Sequence, residues 1–139
     1  MSLPRLLFVC IENSNRSQMA EAFAKIHGAG KVVAHSSGSR PSGKVNPRAV
    51  QFMAELGYDL TTHGSKSLDS FNGTDVAVAV TMGCGDYCPL VKADERVDWN
   101  IPDPKELSDD EFRAVRDLIG AKVKELIARV EAGRAGAGR

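Results

Sequence analysis

Leu6-Leu7-Phe8-Val9-Cys10 and, directly after it, Ile11-Glu12-Asn13-Ser14-Asn15-Arg16-Ser17 decide the architecture of this chain. The first five residues are continuously apolar, the pattern of a strand buried on both faces of a parallel sheet. From Ser17 the pattern turns helical, with Met19, Ala22, Phe23 and Ile26 on one face and Gly28 and Gly30 as the stop. Between strand and helix, five residues separate Cys10 from Arg16. That length lets the backbone close one turn around a phosphate-sized anion, with loop amides and the helix N-terminus aimed at the same oxygens. The same positive field favours the thiolate of Cys10, which is the nucleophilic form of cysteine. Ser17 is placed to donate a further hydrogen bond to that sulfur. The bare Cys-x5-Arg spacing is undemanding, and its plain alternative is a small buried strand-end cysteine followed by a surface arginine. The strand-to-helix junction, where open parallel sheets keep their ligand sites, favours the anion loop.

The rest of the chain repeats the alternation. Val32 to Ser36 reads as a second strand. Asn46-Pro47 reads as an N-cap with proline in the first turn of a short helix, with Val50, Met53 and Ala54 inward and Gly57 as the stop. Asp75 to Val80 is a third strand, ending just before Cys84, and Val97 with Trp99 marks a fourth that breaks at Pro102-Asp103-Pro104. Cys84 and Asp103 thus join Cys10 at the carboxyl ends of strands. Ser108-Asp109-Asp110-Glu111 is a capping box opening a long helix with the stripe Phe112, Val115, Ile119, Val123, Leu126, Val130. Residues 133–139 alternate glycine, alanine and arginine with nothing to bury, which predicts a disordered tail behind a single catalytic domain over residues 1–132. Strand and helix alternating throughout predict an α/β fold, a small doubly wound parallel sheet of four strands.

Composition restricts the function classes. The chain has 139 residues, 42% of them hydrophobic, enough for one ordinary core. Eighteen basic and eighteen acidic residues cancel, so nothing attracts nucleic acid or an anionic membrane in general, and anion affinity must be local. No apolar stretch is long enough to span a bilayer and no leader pattern precedes Leu6, so a cytoplasmic location is expected. Three cysteines, an odd number, point to reduced thiols with a redox or catalytic role rather than a disulfide framework. His27, His35 and His63 are scattered without metal-ligand spacing, so no metal site is expected and each reads as a surface or capping residue. Glu21 and Ser36 read as local hydrogen-bond partners, and Trp99 as core.

Leu7-Phe8-Val9-Cys10 through Arg16-Ser17-Gln18-Met19-Ala20-Glu21-Ala22 resembles the low-molecular-weight tyrosine phosphatase superfamily, in particular its arsenate reductase branch. Asn46-Pro47, Val80-Thr81-Met82-Gly83-Cys84, Cys88-Pro89 and Asp103-Pro104 follow in family order, so the resemblance covers nearly the whole chain. It implies strand order 2-1-3-4 with helices on both faces, Cys10 as nucleophile, Arg16 as oxyanion clamp and Asp103 as general acid. Asn13 would hold the anion loop in shape by the same matching. The departures are informative. Glu12 stands where phosphatase members commonly have glycine, and Lys105-Glu106 where aromatic residues flank a phosphotyrosine ring. Cys84 and Cys88 are separated by three residues, whereas thioredoxin-coupled reductases usually place six between their later cysteines. That segment looks more like arsenate-thiol transferases, which pass arsenic to mycothiol or glutathione. Lys66 stands where some reductases place an aspartate of a monovalent-cation site.

The resemblance implies an arsenate reductase or arsenate-thiol transferase whose substrate is a small oxyanion, arsenate or phosphate. No bound cofactor is expected, only an external thiol reductant: mycothiol, glutathione with glutaredoxin, or thioredoxin. A reductase needs a second thiol to take the electrons, and Cys84 is the best internal candidate. Cys84 and Cys88 would share a face if their segment were helical. Two other readings remain open, a phosphatase acting on phosphotyrosine or small aryl phosphates and a non-enzymatic oxyanion-binding regulator.

Overall fold

The computed structural model describes residues 4–10, 15–38, 44–63, 76–82, 93–102 and 104–137. In chain order these form β1 (Arg5–Cys10), α1 (Arg16–His27), β2 (Val33–Gly38), α2 (Pro47–Ala54), β3 (Val76–Thr81), β4 (Ala93–Asp98) and α3 (Asp109–Ala137). Short 3-10 turns cover Leu60–Thr62 and Pro104–Glu106. The strands make one sheet in the order β2-β1-β3-β4, every pairing parallel. This is the expected doubly wound order, and it puts β1 in the interior of the sheet with Cys10 at its carboxyl end.

The apolar run of β1 explains that central place. Leu6 and Phe8 face a core shared with Met19, Phe23, Phe52, Phe112 and Ile119, while Leu7 and Val9 on the other face are fully buried as well. Phe8 meets Trp99 at 6.0 Å and Phe52 meets Phe112 at 4.8 Å, so the aromatic rings join sheet, α2 and α3. Trp99 is core, as expected. α3 lies along α1 at close range, because Gly120 presents no side chain: a Cβ there would stand 2.9 Å from the Phe23 ring.

Helix ends follow their sequence signals. Asn46 accepts a hydrogen bond from Arg48 N at 2.8 Å, and Gly57 adopts φ of 81°, the left-handed turn that stops the segment. Glu111 N donates to Ser108 Oγ at 3.3 Å, the N-cap bond expected of this pair, and Ser108 Oγ donates to Glu111 Oε1 at 2.9 Å.

Four expectations need correction. The inward face of α2 is Ala49, Phe52 and Met53, with Val50 partly buried and Ala54 exposed, because the bulk of Phe52 sets which face turns inward. Ile26 is 42% exposed, since α1 is buried all round from Arg16 to Ala24 and only its last turn emerges. Trp99 lies just beyond β4, which ends at Asp98. Residues 133–137 continue α3 rather than forming a disordered tail. Extending a helix that already exists costs little per residue when alanine and arginine supply most of the positions.

Candidate active site

Cys10 ends β1 and Arg16 opens α1, so the strand-to-helix junction has the position predicted for it. Cys10 Sγ lies 2.9 Å from Ser17 Oγ, with both residues buried. A hydroxyl at that distance can donate to a thiolate and steady its charge. The contact exists because Ser17 sits in the first turn of a helix whose axis starts at the end of β1. Cys10 is a free thiol.

Arg16 is 8% exposed, and its guanidinium reaches the far side of the junction. Nη1 donates to Met82 O at 2.6 Å and to Ile101 O at 2.9 Å. Met82 follows β3 and continues its pairing, with its N–H donating to Val9 O at 2.9 Å. Ile101 follows β4. The carboxyl ends of β1, β3 and β4 therefore converge on one cation. Among the described residues no carboxylate pairs with Arg16, and a buried cation held only by neutral carbonyls is an attractive place for an anion.

A second polar cluster, spread along the chain, fixes α1. Ser36 Oγ on β2 donates to Glu21 Oε1 at 2.6 Å, and Lys25 Nζ donates to Glu21 Oε2 at 2.8 Å. Glu21 and Ser36 are thus the structural partners that they were expected to be. The His63 side chain is 1% exposed, which corrects its reading as a surface residue, although it does cap the turn at Leu60–Thr62. Its Nδ1 stands 2.9 Å from Gln18 Oε1 and 3.4 Å from Glu21 Oε2, and its Nε2 stands 2.6 Å from Tyr58 Oη. Two acceptors flank Nδ1, the arrangement in which that nitrogen donates, and Tyr58 stands against the opposite ring nitrogen. Burial, the largest effect, holds the Tyr58 phenol above its ordinary value, in keeping with a donor. Reading the sequence missed Gln18, Tyr58 and His63 as partners: Gln18 lies 45 residues from His63, and the five-residue step from Tyr58 to His63 matches no helical or strand period.

Ile11, Glu12, Asn13, Ser14, Lys66, Cys84, Cys88 and Asp103 lie outside the described residues. Of the residues expected in the site, Cys10, Asn15, Arg16 and Ser17 are described, at the end of β1 and the head of α1. Among the described residues no helix is long and apolar enough to cross a membrane.

A family model described as low molecular weight phosphotyrosine protein phosphatase matches residues 5–135. The chain belongs to this family. Among its relatives in the phosphatase family is the glutaredoxin arsenate reductase of Synechocystis sp., 38% identical over 92% of this chain and 99% of that protein. An arsenate reductase of Bacillus cereus is 37% identical over 86% of this chain and 90% of its own length. Of solved structures, an arsenate reductase in the phosphate binding state superposes with a TM-score of 0.85 at 39% identity, covering 92% of this chain and 99% of the other. The Corynebacterium glutamicum thioredoxin-dependent arsenate reductase gives 0.77 at 26% identity, over 94% of this chain and 63% of the other. The phosphatase-family fold, with its strand order and its Cys10–Arg16 junction, is therefore the frame for the chemistry.

Proposed function

We infer that this chain is a thiol-dependent arsenate reductase. The observation that carries the reading is the 38% identity to the Synechocystis glutaredoxin arsenate reductase across 99% of that protein. The buried Cys10–Ser17 pair beside Arg16 supplies the chemistry.

In the proposed reaction the Cys10 thiolate attacks the arsenic of hydrogen arsenate. An arsenic–oxygen bond breaks, and Asp103 protonates the departing oxygen, which leaves as water. The guanidinium of Arg16, anchored through Nη1, turns its Nε and Nη2 edge to the oxyanion and stabilises the developing charge. Loop residues Ile11 to Asn15 and Ser17 complete the cradle. A second thiolate then attacks the Cys10 sulfur, the sulfur–arsenic bonding pair stays on arsenic, and arsenite leaves as the two sulfurs join. Cys84 is the internal candidate for that second thiol, with Cys88 behind it. An external thiol system reduces the resulting disulfide. Glutathione with glutaredoxin is the preferred donor, since the glutaredoxin arsenate reductase is a nearer relative, at 38% identity, than the thioredoxin-dependent one, at 26%.

The test is arsenate-dependent arsenite release with glutathione and glutaredoxin, thioredoxin and mycothiol systems in turn. Release is expected with the first. If none supports release while aryl phosphates are hydrolysed efficiently, the phosphatase reading replaces this one.

A further inference from the structure

Ile26 and Leu56 are large apolar side chains, 42% and 45% exposed. Singly such exposure needs no account, but both border one groove of about 370 Å³. It runs between the last turns of α1, the residues after α2 and the middle of α3, with Phe23, Gly120 and Ala121 lining its centre.

The groove has two unlike ends. Glu55 accepts hydrogen bonds from Arg113 and Arg116, which seats the neighbouring Leu56 at the Asp117 end. A Cβ on Gly28 would stand 3.1 Å from Ile127, so the tail of α1, with Ile26, lies at the Lys124 end. One end thus pairs an apolar side chain with an anion and the other pairs one with a cation. Asp117 and Lys124 are two helical turns apart on α3, so they share a face and stand about 10 Å from each other along the axis. Asp117 accepts from Arg116 Nε at 2.9 Å, yet its side chain is 64% exposed. Lys124 is exposed and has no ion-pair or hydrogen-bond partner among the described residues.

Such a surface is complementary to itself. A two-fold axis passing between Gly120 and Ala121 brings Lys124 of one copy to Asp117 of the other and Ile26 of one to Leu56 of the other, each contact made twice. A parallel pairing would set Asp117 against Asp117 and Lys124 against Lys124, so charge selects the antiparallel order. Nothing larger than a methyl projects from Gly120 and Ala121 at the crossing, which permits a close approach of the two helices. We propose that this groove is a self-recognition surface through which two copies of the chain associate, α3 antiparallel to α3. Ile26 lies ten residues along α1 from Arg16, about 15 Å, so the dimer leaves the Cys10 junction of each copy uncovered.

Sedimentation equilibrium of the full chain tests this, with circular dichroism to check the fold of each variant. Wild type should dimerise with a dissociation constant of about 100 μM or tighter. Asp117→Lys and Lys124→Asp each oppose like charges twice and should weaken association at least about tenfold. The double variant exchanges the two signs and should recover wild-type affinity to within about threefold, as should an equimolar mixture of the two single variants. Leu56→Ser should weaken association with all charges in place. A wild type that stays monomeric at about 1 mM overturns the proposal, as do single variants that associate like wild type or a double variant and mixture no tighter than the singles. A monomer whose groove instead takes up the apolar dye anilinonaphthalene sulfonate, and loses it in Leu56→Ser, overturns it in favour of a small apolar ligand.

Discussion

Ser17 is the residue that most directly touches the sulfur proposed as nucleophile, and it does so because β1 and α1 meet with no room between Cys10 Sγ and its hydroxyl. Iodoacetamide at pH 6 should therefore label Cys10 ahead of Cys84 and Cys88, phosphate or arsenate should slow that labelling, and Cys10→Ser should abolish turnover. Three equal labelling rates, indifferent to oxyanion, would remove Cys10 from its role. Asp103 is proposed as the acid that protonates the leaving oxygen. Asp103→Asn should slow aryl phosphates with poor leaving groups by roughly 10² to 10⁴ and leave phosphate binding in place; full activity on such esters contradicts the assignment. Cys10, Arg16 and Ser17 were legible in the sequence because a junction of seven or eight residues encodes them locally. The partners of His63 were not. Gln18 lies 45 residues away, and no periodicity connects the two.

At the scale of elements, the α2–α3 contact is held by charge as well as by Phe52 and Phe112. Arg113 and then Arg116 hydrogen-bond to Glu55, and they hold its carboxyl at about 2 against an ordinary 4.5. The native state thus prefers the ionised form. The stabilisation is complete above pH 4.5 and disappears as the pH falls through about 2. Glu55 is partly exposed, so the effect is small and salt-sensitive. Thermal melts should place Glu55→Gln below wild type at pH 6, with the gap closing as the pH falls from 4.5 towards 2; a gap independent of pH would assign the loss to something other than the ion pairs. Elements were legible in proportion to their burial. The run Leu6 to Val9 could be nothing but an interior strand. β4 was marked only by Val97 and Trp99, because it is an edge strand and carries Asp94, Glu95, Arg96 and Asp98, charges of the kind that keep sheet edges from pairing with other chains. The end of α3 was missed for the opposite reason: glycine and alanine without an apolar partner look unstructured, yet they continue a helix already formed.

For the whole molecule, hydrolysis and reduction should separate at Cys84. Water alone releases a phosphoryl group from Cys10, but reduction of arsenate requires another sulfur. Cys84→Ser should spare aryl phosphatase activity and abolish arsenite release if arsenic's electrons come from within the chain. If both Cys84→Ser and Cys88→Ser keep wild-type arsenite release with glutathione, the small thiol attacks the adduct directly and neither residue carries electrons.

The hydrogen bonds from Arg16 to Met82 and Ile101 span 66 and 85 residues, so one half of the site is made early in the chain and the other half late. Oxyanion affinity is then a property of the finished fold alone, and phosphate at a hundred times its dissociation constant should add about 2.7 kcal/mol to unfolding. The urea midpoint should climb with the logarithm of phosphate concentration; a midpoint that ignores phosphate would mean that the anion is held equally well without the strand ends. During synthesis the same arrangement keeps the enzyme idle, since a growing chain displays Cys10 long before it possesses the carbonyls that bring Arg16 into place.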